Sequence, residues 1–200
     1  YDPYSSSKGC AELVTSSYRR SFLQDQGIGL ASVRAGNVIG GGDWADDRLI
    51  PDILKSFENG NSVIVRNPQA TRPWQHVLEP LSGYLVLAQK LYQNPKEYAE
   101  GWNFGPNEQD VKSVDWILDK MISKWPNSSW ELDKNSSPHE AGFLKLDISK
   151  AKSKLGWSPL WGLSDTLEKI VNWHQAWLNK EDMQVVCLAE IKEYTKDMNK

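Results

Sequence analysis

Tyr4-Ser5-Ser6-Ser7-Lys8-Gly9-Cys10-Ala11-Glu12 is the stretch of sequence that decides the fold. It lies in a segment, from Pro3 to about Gln26, where apolar side chains recur at the spacing of a helix face. Tyr4 and Lys8 are four residues apart, so on a helix they share one face. We therefore predict a long helix that carries a tyrosine and a lysine side by side.

The Tyr4–Lys8 pair has the chemistry of a general base. A tyrosine removes a proton near neutral pH only when its phenolate is favoured, and a nearby ammonium group favours the phenolate. Such a pair is suited to taking a proton from a hydroxyl group. The spacing alone is weak evidence, because tyrosine and lysine also occur four residues apart by chance on helix surfaces.

Outward from this helix, short predicted strands alternate with predicted helices, which is typical of α/β proteins. The strands are too few and too short to close a complete doubly wound sheet. The predicted strands are 30–35, 62–65, 102–105, 130–132 and 144–146; the predicted helices are 49–59, 78–92, 113–124, 149–155 and 164–178; the predicted loops are 36–44 and 66–74, with a helical or frayed tail from about residue 182.

The composition argues against several classes of protein. A formal net charge of −3 provides no basic surface for nucleic acid. No apolar run approaches the roughly 20 residues that a membrane-spanning helix needs. Cys10 and Cys187 lie far apart without a Cys-x-x-Cys pattern, which favours free thiols in a cytoplasmic protein. The histidines are scattered without metal-ligand spacing, so we expect no metal site.

Three further segments follow the opening helix in a fixed order. They are Val33-Arg34-Ala35-Gly36-Asn37-Val38-Ile39-Gly40, then Arg72-Pro73-Trp74-Gln75-His76-Val77, then Leu146-Asp147-Ile148-Ser149-Lys150-Ala151 with Leu155-Gly156-Trp157-Ser158-Pro159. Together with the helix they resemble the extended short-chain dehydrogenase/reductase family, in its nucleotide-sugar 4,6-dehydratase branch. The resemblance covers most of the chain. It implies an α/β fold: the C-terminal part of a Rossmann-type sheet plus a small mixed α/β substrate-binding domain.

The resemblance also implies a division of the chain. Residues 1–36 are expected to be the remnant of an NAD-binding Rossmann domain with its catalytic helix. Residues 37–180 are expected to form mostly a nucleotide-sugar-binding domain, with short returns to the sheet at about 78–105, and residues 181–200 a C-terminal tail. The family's Gly-x-x-Gly-x-x-Gly sequence is missing, and the glycines at 40–42 have the wrong spacing to replace it. We therefore expect the chain to be the C-terminal portion of a longer protein. We expect these 200 residues alone to show no turnover.

The activity implied by the resemblance is an NAD-dependent nucleotide-sugar 4,6-dehydration, a hydro-lyase reaction of deoxysugar biosynthesis such as lipopolysaccharide assembly requires. Tyr4 is then the base that takes the proton of the sugar 4-hydroxyl, and Lys8 assists it and bonds the nicotinamide ribose. The residues implied to bind the cofactor are Tyr4, Lys8, Ala35, Asn37 and Val38.

The partner implied is a nucleotide-diphosphate sugar, whose diphosphate needs cationic or N–H donors. Arg72 is preferred, because a guanidinium group can engage two phosphate oxygens at once. Arg48 and Leu49 begin a predicted helix whose N-terminal amides can face an anion. The implied substrate-binding residues are Asn37, Arg48, Leu49, Arg72, His139 and Glu140.

Several alternatives stay open at the level of sequence. An NAD-dependent epimerase or decarboxylase of the same family uses the same Tyr–Lys pair, although the Gly-Gly-Gly-Asp-Trp loop at 40–44 favours the dehydratase. A non-catalytic remnant that binds a nucleotide or a partner is the third possibility. Arg72 can also be a surface residue, and His174 fits an apolar helix stripe better than a site. The resemblance also implies a homodimer in which the first helix pairs with its copy, and the apolar side of that helix, with Leu13 and Phe22, agrees with this.

Overall fold

Helices alternate with short strands throughout the computed structural model, which describes residues 2–133 and 144–199. This confirms the predicted α/β class. The chain divides into two compact units. Unit 1 comprises Tyr1–Ala35, Pro80–Phe104 and Leu146–Ser158, and unit 2 comprises Gly36–Glu79, Gly105–Lys145 and Pro159–Lys200.

Unit 1 is built on a pair of parallel strands, in which Ser32 is opposite Gly101 and Ala35 is opposite Phe104. Trp102 and Phe104 are fully buried in its core, and the indole N–H of Trp157 donates to Ser82 Oγ at 2.9 Å. The elements that belong to unit 1 are α1 (Pro3–Tyr18), β1 (Ser32–Ala35), α3 (Leu78–Gln93, whose first two residues are in unit 2), α4 (Pro95–Tyr98) and β5 (Gly101–Phe104), with a π-helical turn at Ala151–Leu155.

The first helix has the extent that the sequence predicts, although its last turns change character. The Asp2 carboxylate accepts the Ser5 N–H at 2.9 Å and caps the helix. After α1 the chain continues through a π-helical turn, Arg19–Leu23, and a 3₁₀ turn, Gln24–Gln26. Gly27 then ends the helical segment with a φ of +70°, a left-handed conformation that favours glycine.

Unit 2 contains two small sheets covered by helices. In one sheet the strand order is β2 (Asn37–Ile39), β4 (Thr71–His76), β6 (Val111–Ser113), with β2 and β4 parallel and β4 and β6 antiparallel. In the other sheet, β3 (Val63–Val65) and β7 (Trp130–Leu132) are parallel. Phe57, Ile117 and Leu167 lie in the shared core. The elements of unit 2 are β2 (Asn37–Ile39), α2 (Leu49–Glu58), β3 (Val63–Val65), β4 (Thr71–His76), β6 (Val111–Ser113), α5 (Val114–Ile122), β7 (Trp130–Leu132), α6 (Leu163–Leu178) and α7 (Met183–Met198).

Three local predictions are wrong. The predicted loop at 36–44 contains β2, and the predicted loop at 66–74 runs into β4. These strands are short and are flanked by glycine or interrupted by proline, and their hydrogen bonds come from distant segments that local sequence does not reveal. The predicted strand at 144–146 is irregular backbone.

The two units also divide the chain differently from the expected domains. The segment Leu146–Ser158 belongs to unit 1, although the sequence places it within the sugar-binding part. The expected tail at 181–200 forms helix α7, which Asp182 caps by accepting the Gln184 N–H at 3.0 Å.

A buried carboxylate ties α7 into unit 2. Glu79 is fully buried and accepts the backbone N–H groups of Leu160 at 2.9 Å and Trp161 at 2.8 Å. It also accepts the hydroxyl proton of Tyr194, on α7, at 2.8 Å. Burial raises the pKa of Glu79. The three hydrogen bonds that Glu79 accepts offset part of the cost of removing its carboxyl group from water. Within residues 2–133 and 144–199, no helix is long and apolar enough to cross a membrane.

Candidate active site

The predicted catalytic pair lies on an exposed face of α1. Lys8 Nζ is 5.4 Å from the centroid of the Tyr4 ring, and Tyr4 is 72% exposed. The helix starts just before Tyr4 because Asp2 caps it and Pro3 occupies its first turn. The phenol and the ammonium group are therefore side by side and accessible, as their spacing predicts.

Small side chains surround the pair. Ser5, Ser6 and Ser7 separate Tyr4 from Lys8, and a Cβ added at Gly9 would meet nothing within 4 Å. An accessible ammonium donor and a phenol on an uncrowded helix face can both bond hydroxyl groups. The hydroxyl groups of a ribose are among the groups that such donors can bond.

Unit 2 brings two of the predicted binding residues onto one sheet face. Asn37 on β2 is opposite Trp74 on β4, and Arg72 precedes Trp74 by two residues. Because side chains alternate along a strand, Asn37, Trp74 and Arg72 point to the same face. Arg72 is half-buried, and its Nη1 donates to the Thr71 carbonyl at 3.0 Å.

Sequence reasoning missed a second cation on this face. Lys112 on β6 is directly opposite Arg72 on β4. Its Nζ lies 5.7 Å from the centroid of the Trp116 ring. Like charges directly opposite each other on a sheet repel, so an anion bound on this face would stabilise the pair. Only the β4–β6 pairing identifies Lys112, and no local motif signals that pairing.

The remaining predicted residues are distributed as follows. Ala35 ends β1 in unit 1, and Val38 lies in the middle of β2 in unit 2; both are half-buried. Arg48 is exposed and immediately precedes α2, of which Leu49 is the first residue. His139 and Glu140 lie outside the described residues.

Two histidines lie in the core of unit 2. His76 is fully buried; its Nδ1 accepts the Leu78 N–H at 3.2 Å and its Nε2 lies 3.6 Å from Glu190 Oε1. His174 is buried and pairs with Glu58, which confirms the prediction that it faces the core. Among residues 2–133 and 144–199, no group of three His, Cys, Asp or Glu side chains is arranged to hold a metal ion.

The glycine run after β2 has a packing role. A Cβ added at Gly41 would lie 2.2 Å from the indole ring of Trp173, on α6. Only glycine therefore lets the backbone approach this tryptophan so closely. Glycine at 41 is thus explained by packing inside unit 2.

A cavity of about 250 Å³ lies in unit 2, between α2, α6 and the loop after the glycine run. Trp44, Trp177 and His174 form its aromatic side, and Asp46 and Asp52 contribute carboxylates. Burial raises the pKa of Asp52, and the carboxylates of Asp47 and Asp46 raise it further. None of the predicted site residues lines this cavity.

Comparison with known proteins gives a consistent set of relatives. Residues 1–170 match the family model described as GDP-mannose 4,6 dehydratase. A CDP-glucose 4,6-dehydratase of Salmonella typhimurium is 60% identical over 97% of this chain, which spans 56% of the length of that protein. A UDP-glucuronic acid decarboxylase 1 of Xenopus tropicalis is 21% identical over 76% of this chain and 35% of its own length.

Solved structures share the fold. UDP-glucuronic acid 4-epimerase from Bacillus cereus, in complex with UDP-glucuronic acid and NAD, has a TM-score of 0.71 at 24% identity, over 88% of this chain and 53% of that chain. dTDP-glucose 4,6-dehydratase from Bacillus anthracis, in complex with NAD, has a TM-score of 0.68 at 20% identity, over 88% and 52% of the two chains. These likenesses confirm the predicted Rossmann-type α/β fold.

Proposed function

This chain belongs to the GDP-mannose 4,6 dehydratase family, and on that premise we propose that the whole protein converts CDP-glucose to CDP-4-keto-6-deoxyglucose with NAD as its cofactor. The observation that carries the proposal is the high identity to the Salmonella CDP-glucose 4,6-dehydratase along almost the whole chain. The accessible Tyr4–Lys8 pair on α1 supports it chemically.

Tyr4 is the proposed base for the first step. Its phenolate oxygen takes the proton of the sugar 4-hydroxyl, and the Lys8 ammonium stabilises the phenolate and donates to a ribose hydroxyl of the cofactor. The chemistry that bound NAD supplies is the storage of a hydride, which leaves sugar C4 and is returned at C6. The 4-ketone makes the C5 proton acidic, so water can then be lost across C5 and C6.

The nucleotide diphosphate is assigned to unit 2. The guanidinium group of Arg72 and the amide of Asn37 share one sheet face, and the first amides of α2, at Leu49, can donate to a phosphate oxygen. His139 and Glu140 are proposed to contact the nucleotide ribose or base.

The proposal is tested by incubating the whole protein with NAD and CDP-glucose and analysing the product by mass spectrometry and NMR. We expect loss of one water molecule and a 4-keto sugar, with CDP-glucose preferred over UDP-glucose. A product of unchanged mass with inverted C4 would instead identify an epimerase. Loss of carbon dioxide from UDP-glucuronic acid would identify a decarboxylase, and binding without turnover a non-catalytic role.

Arg72→Met should raise the KM for CDP-glucose about 10- to 100-fold, with a smaller effect on kcat. Hydrogen bonds from a charged group contribute about 1.5–3 kcal/mol each, and the diphosphate loses them whether or not the sugar has reacted. Steady-state kinetics measure this change. Arg66→Met is the matched control, because Arg66 is exposed just after β3; an equal rise in KM for both variants would contradict the assignment of Arg72.

We also propose that the whole protein is a homodimer that uses the outer side of α1. Leu13, Val14, Tyr18 and Phe22 are exposed along this side, and the Tyr18 and Phe22 rings are 5.3 Å apart. An apolar stripe of this kind is typical of a surface that a partner helix covers. Sedimentation of the protein with Leu13→Glu and Phe22→Glu should show a monomer, and an unchanged dimer would contradict the assignment.

A further inference from the structure

Helix α1 is joined to the sheet of unit 1 mainly by polar side chains. Within the described residues α1 contains no buried side chain, so apolar packing contributes little to the contact between α1 and the rest of unit 1. Two side chains bond the helical segment to β1 and the residues before it. Glu12, on α1, bonds to β1. Arg19, in the turn after α1, donates from its Nε to the Leu30 carbonyl at 2.7 Å.

Glu12 makes the closer connection to β1. Its Oε1 accepts from Arg34 Nε at 2.7 Å, and its Oε2 accepts from Ser32 Oγ at 2.8 Å. Ser32 and Arg34 are two residues apart, so both point to the face of β1 that α1 covers. We call Glu12, Ser32 and Arg34 the polar clasp.

The neighbouring strand β5 is shaped to hold Arg34 in this position. Arg34 Nη1 donates to Asn103 Oδ1 at 3.1 Å, and Asn103 Nδ2 donates to the Asp147 carbonyl at 3.1 Å. A Cβ added at Gly101, on the same strand, would lie 2.6 Å from Arg34 Nη2. Glycine at 101 therefore leaves the space that the guanidinium group occupies.

The clasp lies in line with the proposed catalytic pair. Tyr4, Lys8 and Glu12 follow one another at intervals of four residues, which places them along one side of α1. The Arg34 guanidinium lowers the pKa of Glu12 below its usual range, so the clasp has a carboxylate as its centre. Whatever fixes Glu12 on β1 also fixes the direction in which Tyr4 and Lys8 point.

We propose that Glu12 is a positioning residue: through Arg34 and Ser32 it holds the Tyr4–Lys8 face of α1 at a fixed orientation on the sheet. This inference rests on the proposed function for its kinetic consequence. It does not require Glu12 to contact substrate or cofactor.

Glu12→Ala in the whole protein should lower kcat for CDP-glucose dehydration about tenfold while KM changes less than twofold, because a small misplacement of a catalytic group slows the chemical step more than it weakens binding. Glu12→Gln, which keeps an acceptor oxygen, should lie between wild type and Glu12→Ala. Since the clasp is partly exposed, the melting temperature should fall by less than about 4 °C. Arg34→Gln combined with Glu12→Ala should be no slower than Glu12→Ala alone.

Glu100→Ala is the matched control for Glu12→Ala. The Glu100 carboxylate is as exposed as that of Glu12, 36% in both, and it also binds two partners in unit 1, Lys150 and Lys154. Both partners lie outside α1, so its variant should keep the wild-type kcat. An equal loss of kcat in both variants would overturn the proposal, because any weakening of unit 1 would then explain the Glu12 result.

Hydrogen exchange of the α1 amides separates this inference from the proposed function. If the wild-type protein dehydrates CDP-glucose and Glu12→Ala keeps its full kcat, the clasp has no positioning role and the function stands. If the wild-type protein has no dehydratase activity, exchange alone decides: faster exchange along α1 in Glu12→Ala supports the clasp, and unchanged exchange overturns it.

Discussion

Tyr4→Phe in the whole protein is expected to lower kcat for CDP-glucose dehydration by about 10³-fold, within the 10²–10⁴-fold that general base catalysis contributes. The variant loses the oxygen that takes the proton of the 4-hydroxyl and keeps the aromatic ring. Because Tyr4 is exposed, the loss of its hydroxyl leaves the packing of unit 1 unchanged. The melting temperature should therefore stay at the wild-type value.

The control for this variant is Tyr18→Phe, at the end of the same helix. Tyr18 is also exposed, and its hydroxyl has no proposed part in the reaction, so kcat should be unchanged. Rates are measured by following formation of the 4-keto sugar under saturating CDP-glucose and NAD. A Tyr4→Phe enzyme that retained more than a tenth of the wild-type kcat would remove Tyr4 from the role of base.

Glu79→Ala is expected to reduce the free energy of unfolding by about 3–5 kcal/mol, because it removes the acceptor of several hydrogen bonds at once. The substitution leaves three donors of unit 2 without their acceptor: the buried Trp161 amide, the buried Tyr194 hydroxyl and the partly buried Leu160 amide. Each buried donor without a partner costs about 1–3 kcal/mol. Because Tyr194 lies on α7, the end of this helix should lose protection first.

A urea titration of the whole protein measures this loss. Glu193→Ala is the control. Glu193 precedes Tyr194 on α7 but pairs with Lys169, and 56% of the Glu193 side chain is exposed. Exposed pairs contribute about 0.2–1 kcal/mol, so the control should remain close to wild type. Equal losses for the two variants would mean that the buried hydrogen bonds of Glu79 add nothing to stability.

The sign of the pH dependence follows from the raised pKa of Glu79. A carboxyl group with a higher pKa in the folded than in the unfolded protein favours folding most when both states are protonated. Its contribution is lost as the pH rises from the ordinary glutamate pKa, about 4.3, through the raised value. The stability of wild type minus that of Glu79→Gln should therefore fall over this range, and a difference that rises with pH would refute the assignment.

Local sequence determines the helices better than the strands. The capped start at Asp2, the apolar spacing and the glycine at 27 place the first helical segment almost completely. Strands β2 and β4 escape detection because glycine and proline flank or interrupt them. Pro73 lies within β4, where local signals would exclude a central strand. The pairing that overrides these signals joins residues more than 30 positions apart.

The same distinction applies to the site. Tyr4 and Lys8 can be found from sequence because both lie within one helical turn of each other. Lys112 cannot, because it becomes a neighbour of Arg72 only through the register of β4 and β6. The clasp cannot, because Glu12 meets Ser32 and Arg34 only where α1 lies against β1. Glu79 is equally hidden: an acidic residue in the first turn of a helix is ordinary, and its partners follow about 80 and 115 residues later.

Because the chain divides into two units, tryptophan fluorescence and circular dichroism report on different parts of it. Of its ten tryptophans, Trp102 and Trp157 belong to unit 1 and the other eight to unit 2. Indole fluorescence is thus a built-in probe dominated by unit 2, whereas far-ultraviolet circular dichroism also registers α1 and α3. Melting curves recorded with both signals will coincide if the two units unfold together and separate if each unfolds by itself, so cooperativity can be measured without attaching a label.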